Sequence, residues 1–380
     1  MNTLKQMMLV MTASLFLQGC CEKAATTLSG LDPSDFESEY NGSATHLYTL
    51  VNKNGMEVCI TNFGGRIVSM MVPDKEGKMR DVVLGFDNVK SYFPENNLSD
   101  FGAAIGRYAN RLDHGHINID GIDYQLPQNN FGHCLHGGPT GWQYQVYEEI
   151  EHDSQHLKLS RFSPDGDNGF PGDVRAYVTY TLDDDNALSI SYEATTSAPT
   201  VINMTNHSYF NLSGDPEKSI EDNIMWVNSS AYTPIDDTYM TTGEIAPVEG
   251  TPFDFRIYHP ISDSISADDG QIRNGNGYDH NWVLDTEGDI TKTAVHLLCP
   301  ASGISLKVYT DEPGIQIYTG NFLDGTVTGK KGVVYQQRTG ICLETQHYPD
   351  SPNKAGWPSA ILRPGETYTS NCIFAFSIDK

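Results

Sequence analysis

Residues 173–197, DVRAYVTYTLDDDNALSISYEATTS, hold the pattern on which the fold turns. Val174, Ala176, Val178, Tyr180 and Leu182 fall on one face of an extended chain, and Leu188, Ile190, Tyr192 and Ala194 do the same beyond Asp183 to Asn186. Alternation of period two on both sides of an Asp/Asn cluster is the mark of a β-hairpin with one buried face. Similar short runs recur as EVCITNF (57–63), RIVSMMVP (66–73), HLKLSRF (156–162), ISLKVYT (304–310), GIQIYTG (314–320) and NCIFAFSI (371–378). Gly, Asn, Asp and Pro clusters separate them, and the best helical pattern is a turn or two around Asn88 to Glu95. Connections this brief cannot house helical crossovers, so the expected fold is all-β, a large antiparallel β-sandwich. A large sheet curves, and its concave face suits a sugar-sized ligand.

The chain reads in three parts. Residues 1–19 hold one early cation, Lys5, an apolar stretch from about Met7 to Leu17, and a small residue before Cys20, which is how a bacterial export signal reads. Leu17-Gln18-Gly19-Cys20 also resembles the lipoprotein signal, in which Cys20 becomes the lipid-bearing N-terminus. The expected location is therefore outside the cytoplasm, periplasmic or on the cell surface, with membrane contact only through the lipid on Cys20. The polar, turn-rich 20–44 reads as a flexible tether, and 45–380 as one domain without an internal linker or fixed-period repeat.

The formal charge is −25, with 49 acidic residues against 24 basic ones. Such a surface repels phosphate backbones, which excludes nucleic acid as a natural partner and leaves neutral ligands unaffected. Of seven cysteines, those inside the domain stand singly, like small core residues, and the sequence names no disulfide pair.

Polar residues interrupt the strand pattern in five segments. GRYANRLDHG (106–115) sets Asn110 and Arg111 between glycines; FGHCLHGGPTGW (131–142) sets His136 before a Gly-Gly turn; INMTNHSYFNL (202–212) carries His207; GYDHNWVL (277–284) puts Asp279 beside His280 and Trp282; and CLETQHYPD (342–350) follows an apolar run with Glu344. A carboxylate at the edge of a buried strand is either paired or a general base, because burying it alone costs several kcal/mol. His207 alone reads equally as a core histidine bonded to a carbonyl, and Arg111 with Asp279 as a structural ion pair. Trp142 is a candidate for stacking on a sugar or for the core. His133 and His136 have no matching Cys/His pair elsewhere in the sequence, so no metal site and no cofactor is expected.

Taken together and in this order, with NFGGRIVSMMVPD (62–74), TPIDDTYMTTGEIAPVEGTPFDFR (233–256) and GIQIYTGNFL (314–323), these segments resemble the galactose mutarotase (aldose 1-epimerase) family over nearly the whole domain. The resemblance implies a galactose mutarotase-like supersandwich and an isomerase that interconverts the α and β anomers of a neutral hexose such as galactose or glucose. It implies Glu344 as general base and His207 as general acid, and His136, Arg111, Asn110, Asp279 and Gln316 as sugar-binding residues. An acid and a base on opposite sides of one carbon suffice for mutarotation, with no cofactor. Two rivals remain: a hexose-6-phosphate 1-epimerase, which needs extra cations that an acidic chain offers sparsely, and a surface glycan-binding lipoprotein without turnover. The sequence leaves the oligomeric state open.

Overall fold

The computed structural model describes residues 26–379, so the export signal and Cys20 lie outside the described residues. The hairpin pairs Val174–Leu182 with Ala187–Thr196 antiparallel, with Leu182 opposite Leu188, and its inward residues are buried as the alternation requires. Asp183 closes the turn, its Oδ1 accepting from the backbone N–H of Asp185 and Ala187.

This hairpin sits inside a nine-stranded antiparallel sheet ordered Glu148–His152, His156–Ser163, Val174–Leu182, Ala187–Thr196, Tyr368–Ile378, Ile304–Thr310, Val295–Leu298, Ile224–Val227, His259–Pro260. A six-stranded sheet runs Tyr209–Phe210, Ile341–Gln346, Gly314–Tyr318, Asp279–Val283, Ala231–Thr233, Ala246–Pro247, and a four-stranded sheet holds Leu47 to Asp81. One apolar cluster joins all three: Val178, Ile190 and Phe374 from the first, Trp282, Ile317 and Leu343 from the second, Val58 and Ile67 from the third. Phe210 meets Phe374 edge-on at 4.9 Å across the two larger sheets. The architecture is the expected antiparallel sandwich, with one α-helix among the described residues, Gly270–Gly275, and a 3-10 turn at Val89–Tyr92.

The reading of 20–44 as a tether is corrected over its described part. Leu31 and Phe36 are buried with Phe63 and Val89, Leu28 N–H donates to Glu57 Oε1, and Ser29 Oγ donates to Ser69. Strands Ser38–Tyr40 and Ser43–Thr45 pair with each other. Polar composition conceals this anchoring, because two buried apolar residues and a few backbone hydrogen bonds are enough to dock a short segment.

Candidate functional site

Strand Ile341–Gln346 is buried along its whole length, which is why it opens as an apolar run. Its faces differ: Ile341 and Leu343 enter the main core, whereas Cys342 and Glu344, two residues apart, point the other way. Directly opposite Glu344 is Gln316, and opposite Gln316 is Asn281; one row along, Cys342 faces Tyr318 and Tyr318 faces Asp279. Register therefore sets Asp279, Tyr318 and Glu344 on the floor of one cavity of about 530 Å³.

The remaining polar groups arrive on loops. Asn110 has φ +64°; its N–H donates to His136 Nδ1 at 3.1 Å, and its carbonyl accepts from His136 N–H at 3.1 Å. The two loops lie backbone to backbone, and glycine is needed there: a Cβ on Gly137 would stand 2.3 Å from Gly106 O, and one on Gly106 would stand 2.1 Å from the Trp142 ring. Trp142 is 1 % exposed and packs in the core, which removes it as a stacking surface. His207 ends strand Thr205–His207, opposite Ala103.

His207 Nε2 lies 3.4 Å from Glu344 Oε1, and its Nδ1 lies 3.5 Å from Cys342 Sγ. Acid and base thus adjoin rather than flank a space as expected, and the same strand touches both nitrogens of the ring. His136 stands edge-on to His207 at 5.1 Å. Because His136 Nδ1 accepts a hydrogen bond, its neutral ring carries the proton on Nε2. Glu344 Oε2 makes no hydrogen bond among the described residues. Asp279 Oδ1 accepts from Gln316 Nε2 at 2.7 Å. Gln316, expected to touch the ligand, lies off the cavity wall and holds Asp279 instead. Arg111 donates through Nε and Nη2 to Asn130 Oδ1 and stacks its guanidinium over Tyr239 at 5.1 Å.

Burial drives the protonation equilibria. It pushes the Glu344 carboxyl well above the usual carboxylate range; Asp279 and Asp100 push the same way, and Arg111 opposes them. It pushes His207 down to about 4 and His136 well below the ordinary imidazole value. Burial also raises Asp279, against the pull of Arg111 and Gln316. Asp100, absent from the sequence reading, reaches the cavity beside the two histidines, its carboxyl pushed up to about 6 by burial. His133 turns away from His136: its Nδ1 accepts from His114 N–H and its Nε2 pairs with Thr238 Oγ1 at 2.8 Å. Cys59, Cys134, Cys299, Cys342 and Cys372 are free and buried.

The residues expected to act on or bind the sugar, Glu344, His207, His136, Arg111, Asn110 and Asp279, therefore converge on this cavity, and Gln316 lies one step behind it. Sequence reasoning missed Asp100, the contact of Cys342 with His207, and the aromatic rim of Phe131 and Phe322. Only the alternation of Cys342 with Glu344 gave any signal of these.

A family model described as aldose 1-epimerase matches residues 46–375. The chain is 44 % identical to a galactose mutarotase of Mus musculus, covering 85 % of this chain and 92 % of that protein. It is 37 % identical to an aldose 1-epimerase of Escherichia coli, covering 88 % and 96 %. Among solved structures, an aldose epimerase homologue from C. elegans superimposes with a TM-score of 0.82 at 32 % identity, covering 89 % of this chain and all of that one.

Proposed function

This chain belongs to the aldose 1-epimerase family, and from that premise we propose that Glu344 and His207 are the base and acid with which it interconverts the anomers of a neutral hexose. The protein is an isomerase, and its substrate is a cyclic aldose. The observation that carries the residue assignment is the contact of the two groups, 3.4 Å apart at the floor of one cavity. The anomeric hydroxyl and the ring oxygen are bonded to the same carbon, so adjoining groups can address both at once.

Ring opening moves one proton in each direction. Glu344 takes the proton of the anomeric hydroxyl, His207 gives one to the ring oxygen, the C1–O5 bond breaks, and C1 becomes an aldehyde carbon. Rotation about C1–C2 presents the other face, and reversal of both transfers closes the ring. After opening, the pair is a carboxylic acid beside a neutral imidazole. Burial favours that state, since it raises Glu344 and lowers His207. The buried site thus opposes the charged pair that meets the closed sugar and favours the neutral pair that faces the aldehyde. Turnover needs one proton shared by the two groups, so a second proton at low pH or its loss at high pH stops it.

His136 Nε2–H, Asn110, Arg111 and the Asp279 carboxylate supply the donors and acceptors that a hexose hydroxyl array requires. The cavity wall sets the guanidinium of Arg111 against three carboxyl groups, Asp100, Asp279 and Glu344. That balance disfavours a sugar phosphate. Cys20 remains the proposed lipid-bearing residue, with export as its consequence.

Polarimetry on freshly dissolved α-D-galactose tests the activity. The protein should speed the approach to anomeric equilibrium well beyond buffer, and a rate equal to buffer would leave the glycan-binding reading.

A further inference from the structure

The cavity that holds Glu344 extends outward past Arg111 to a group of exposed rings. Phe131 and Phe322 line it and are 55 % and 49 % exposed. Tyr239 stands between them, stacked on Phe131 at 5.2 Å and tilted against Phe322 at 5.5 Å. Exposed aromatics clustered at the mouth of a polar cleft call for an occupant.

The backbone holds these rings at a cost. Asn130 and His133 pair across Phe131-Gly132 through reciprocal hydrogen bonds of 3.1 and 2.8 Å. Phe131 has φ +47° and Gly132 φ +85°, the two positive values of a two-residue hairpin turn in which Asn or Gly is the usual first residue. Tyr239 has φ +65°, also left-handed. A bulky residue in that region is an outlier, and such strain gathers where it serves a ligand.

The platform is also braced. Asn130 Oδ1 receives Arg111, and His133 Nε2 bonds Thr238 Oγ1 in the loop that carries Tyr239. Asp236 Oδ1 accepts from the N–H groups of Thr238 and Met240 on either side of Tyr239. Tyr318, on the cavity floor, accepts from Phe322 N–H through its hydroxyl at 2.9 Å.

We propose that Phe131, Tyr239 and Phe322 form a subsite for a second glycosyl residue, so that the preferred substrate is the reducing end of a di- or oligosaccharide rather than a free hexose. The inference rests on the mutarotase reading. A pyranose with C1 on Glu344 and His207 directs its far hydroxyls past Arg111 toward the rings. A glycosyl group attached there presents a C–H face to the aromatics and keeps its hydroxyls in water. The volume of about 530 Å³ is in the range of pockets that take ligands much larger than one hexose. Continuity with the catalytic floor favours this occupant over a partner protein.

The test is polarimetry on α-D-glucose, α-lactose, β-maltose and melibiose with wild type, Phe131→Asn and Phe322→Ala. Asn tolerates positive φ, so Phe131→Asn should melt no lower than wild type while removing one ring. For at least one disaccharide, the wild-type kcat/KM should exceed that for glucose. The disaccharide-to-glucose ratio should fall about three- to tenfold in each variant, mainly through KM, as expected for one aromatic contact. A wild type that prefers glucose to every disaccharide, or a ratio unchanged in both variants, would overturn the subsite and leave the mutarotase reading intact. No acceleration of any sugar would sink both.

Discussion

Two histidine–glutamate pairs meet the same stretch of chain with opposite consequences. Glu344 lies against His207 at 3.4 Å; three residues on, His347 Nδ1 lies 2.7 Å from Glu312 Oε2. The second pair is tight and supported, with Glu312 Oε1 receiving the Tyr368 hydroxyl at 3.4 Å. Burial works to lower His347, but the hydrogen bond and charge of Glu312 outweigh it and its pKa is raised. At the cleft floor nothing offsets burial to that extent: His207 falls to about 4, Glu344 rises well above its ordinary value, and Glu344 Oε2 lacks a hydrogen-bond partner among the described residues. The same two residue types are thus a structural ion pair where hydrogen bonds satisfy the charges, and an acid–base pair where they are left poorly solvated.

The largest expected effect is on the poorly solvated pair. Glu344→Gln and His207→Ala should each lower kcat about 10²- to 10⁴-fold in the polarimetric assay. Near-normal turnover in Glu344→Gln would end the base assignment. The same variant should be more stable than wild type. A folded pKa raised above the unfolded one means that the native state binds more protons from about pH 4.5 upward, so wild-type stability declines as pH rises through that window. Glu344→Gln removes the decline and should gain about 1–3 kcal/mol on wild type between pH 5 and 9 in urea titrations. A variant that loses both activity and stability would mean that the carboxylate is held by contacts it does not show here.

Glu312→Gln should do the reverse. It leaves turnover within about twofold and lowers stability by about 1.5–3 kcal/mol, the worth of a hydrogen bond to a charged group. The contribution of His347 is fully present below its unfolded value near 6.5 and fades as pH rises through its raised folded value, so the deficit should be largest at pH 6 and smallest at pH 9. A large drop in kcat would show that the two pairs are coupled through strand Ile341–Gln346.

The sequence announces the distinction only in part. Alternation in 173–197 is enough for an antiparallel sandwich, because a period of two has one structural meaning when both hairpin arms keep it. Glu344 stands out since it follows an apolar run where solvation is scarce. His347 lies as close to that strand and looks the same in the sequence; only its partner, 35 residues earlier, separates it from a catalytic histidine. Phe131 and Phe322 are silent for a similar reason, as an aromatic in a turn does not declare whether it faces core or solvent. Trp142 misleads in the other direction. It borders the glycine turn after His136 and suggests a ligand, yet Gly106, on the facing loop, admits its ring into the core. Leu31 and Phe36 are too sparse in a polar segment to reveal that it docks.

The smallest effect concerns how the His207 ring is held. Cys342 and Glu344 alternate on one strand, and His207 lies between them with Nδ1 on sulfur and Nε2 on the carboxylate. Burial pushes the Cys342 thiol well above its ordinary value, so it stays protonated. It can accept N–H from Nδ1 through a lone pair, which keeps one ring proton on Nδ1 and leaves Nε2, beside Glu344, to give up and regain the other. Such a contact stabilises the ring in either protonation state and is worth less than an oxygen hydrogen bond. Cys342→Ala should therefore lower kcat only about two- to fivefold with KM unchanged, and Cys342→Ser should restore most of the loss. Equal rates in all three proteins would make the sulfur a space-filling atom, with the ring held in place by Glu344 alone.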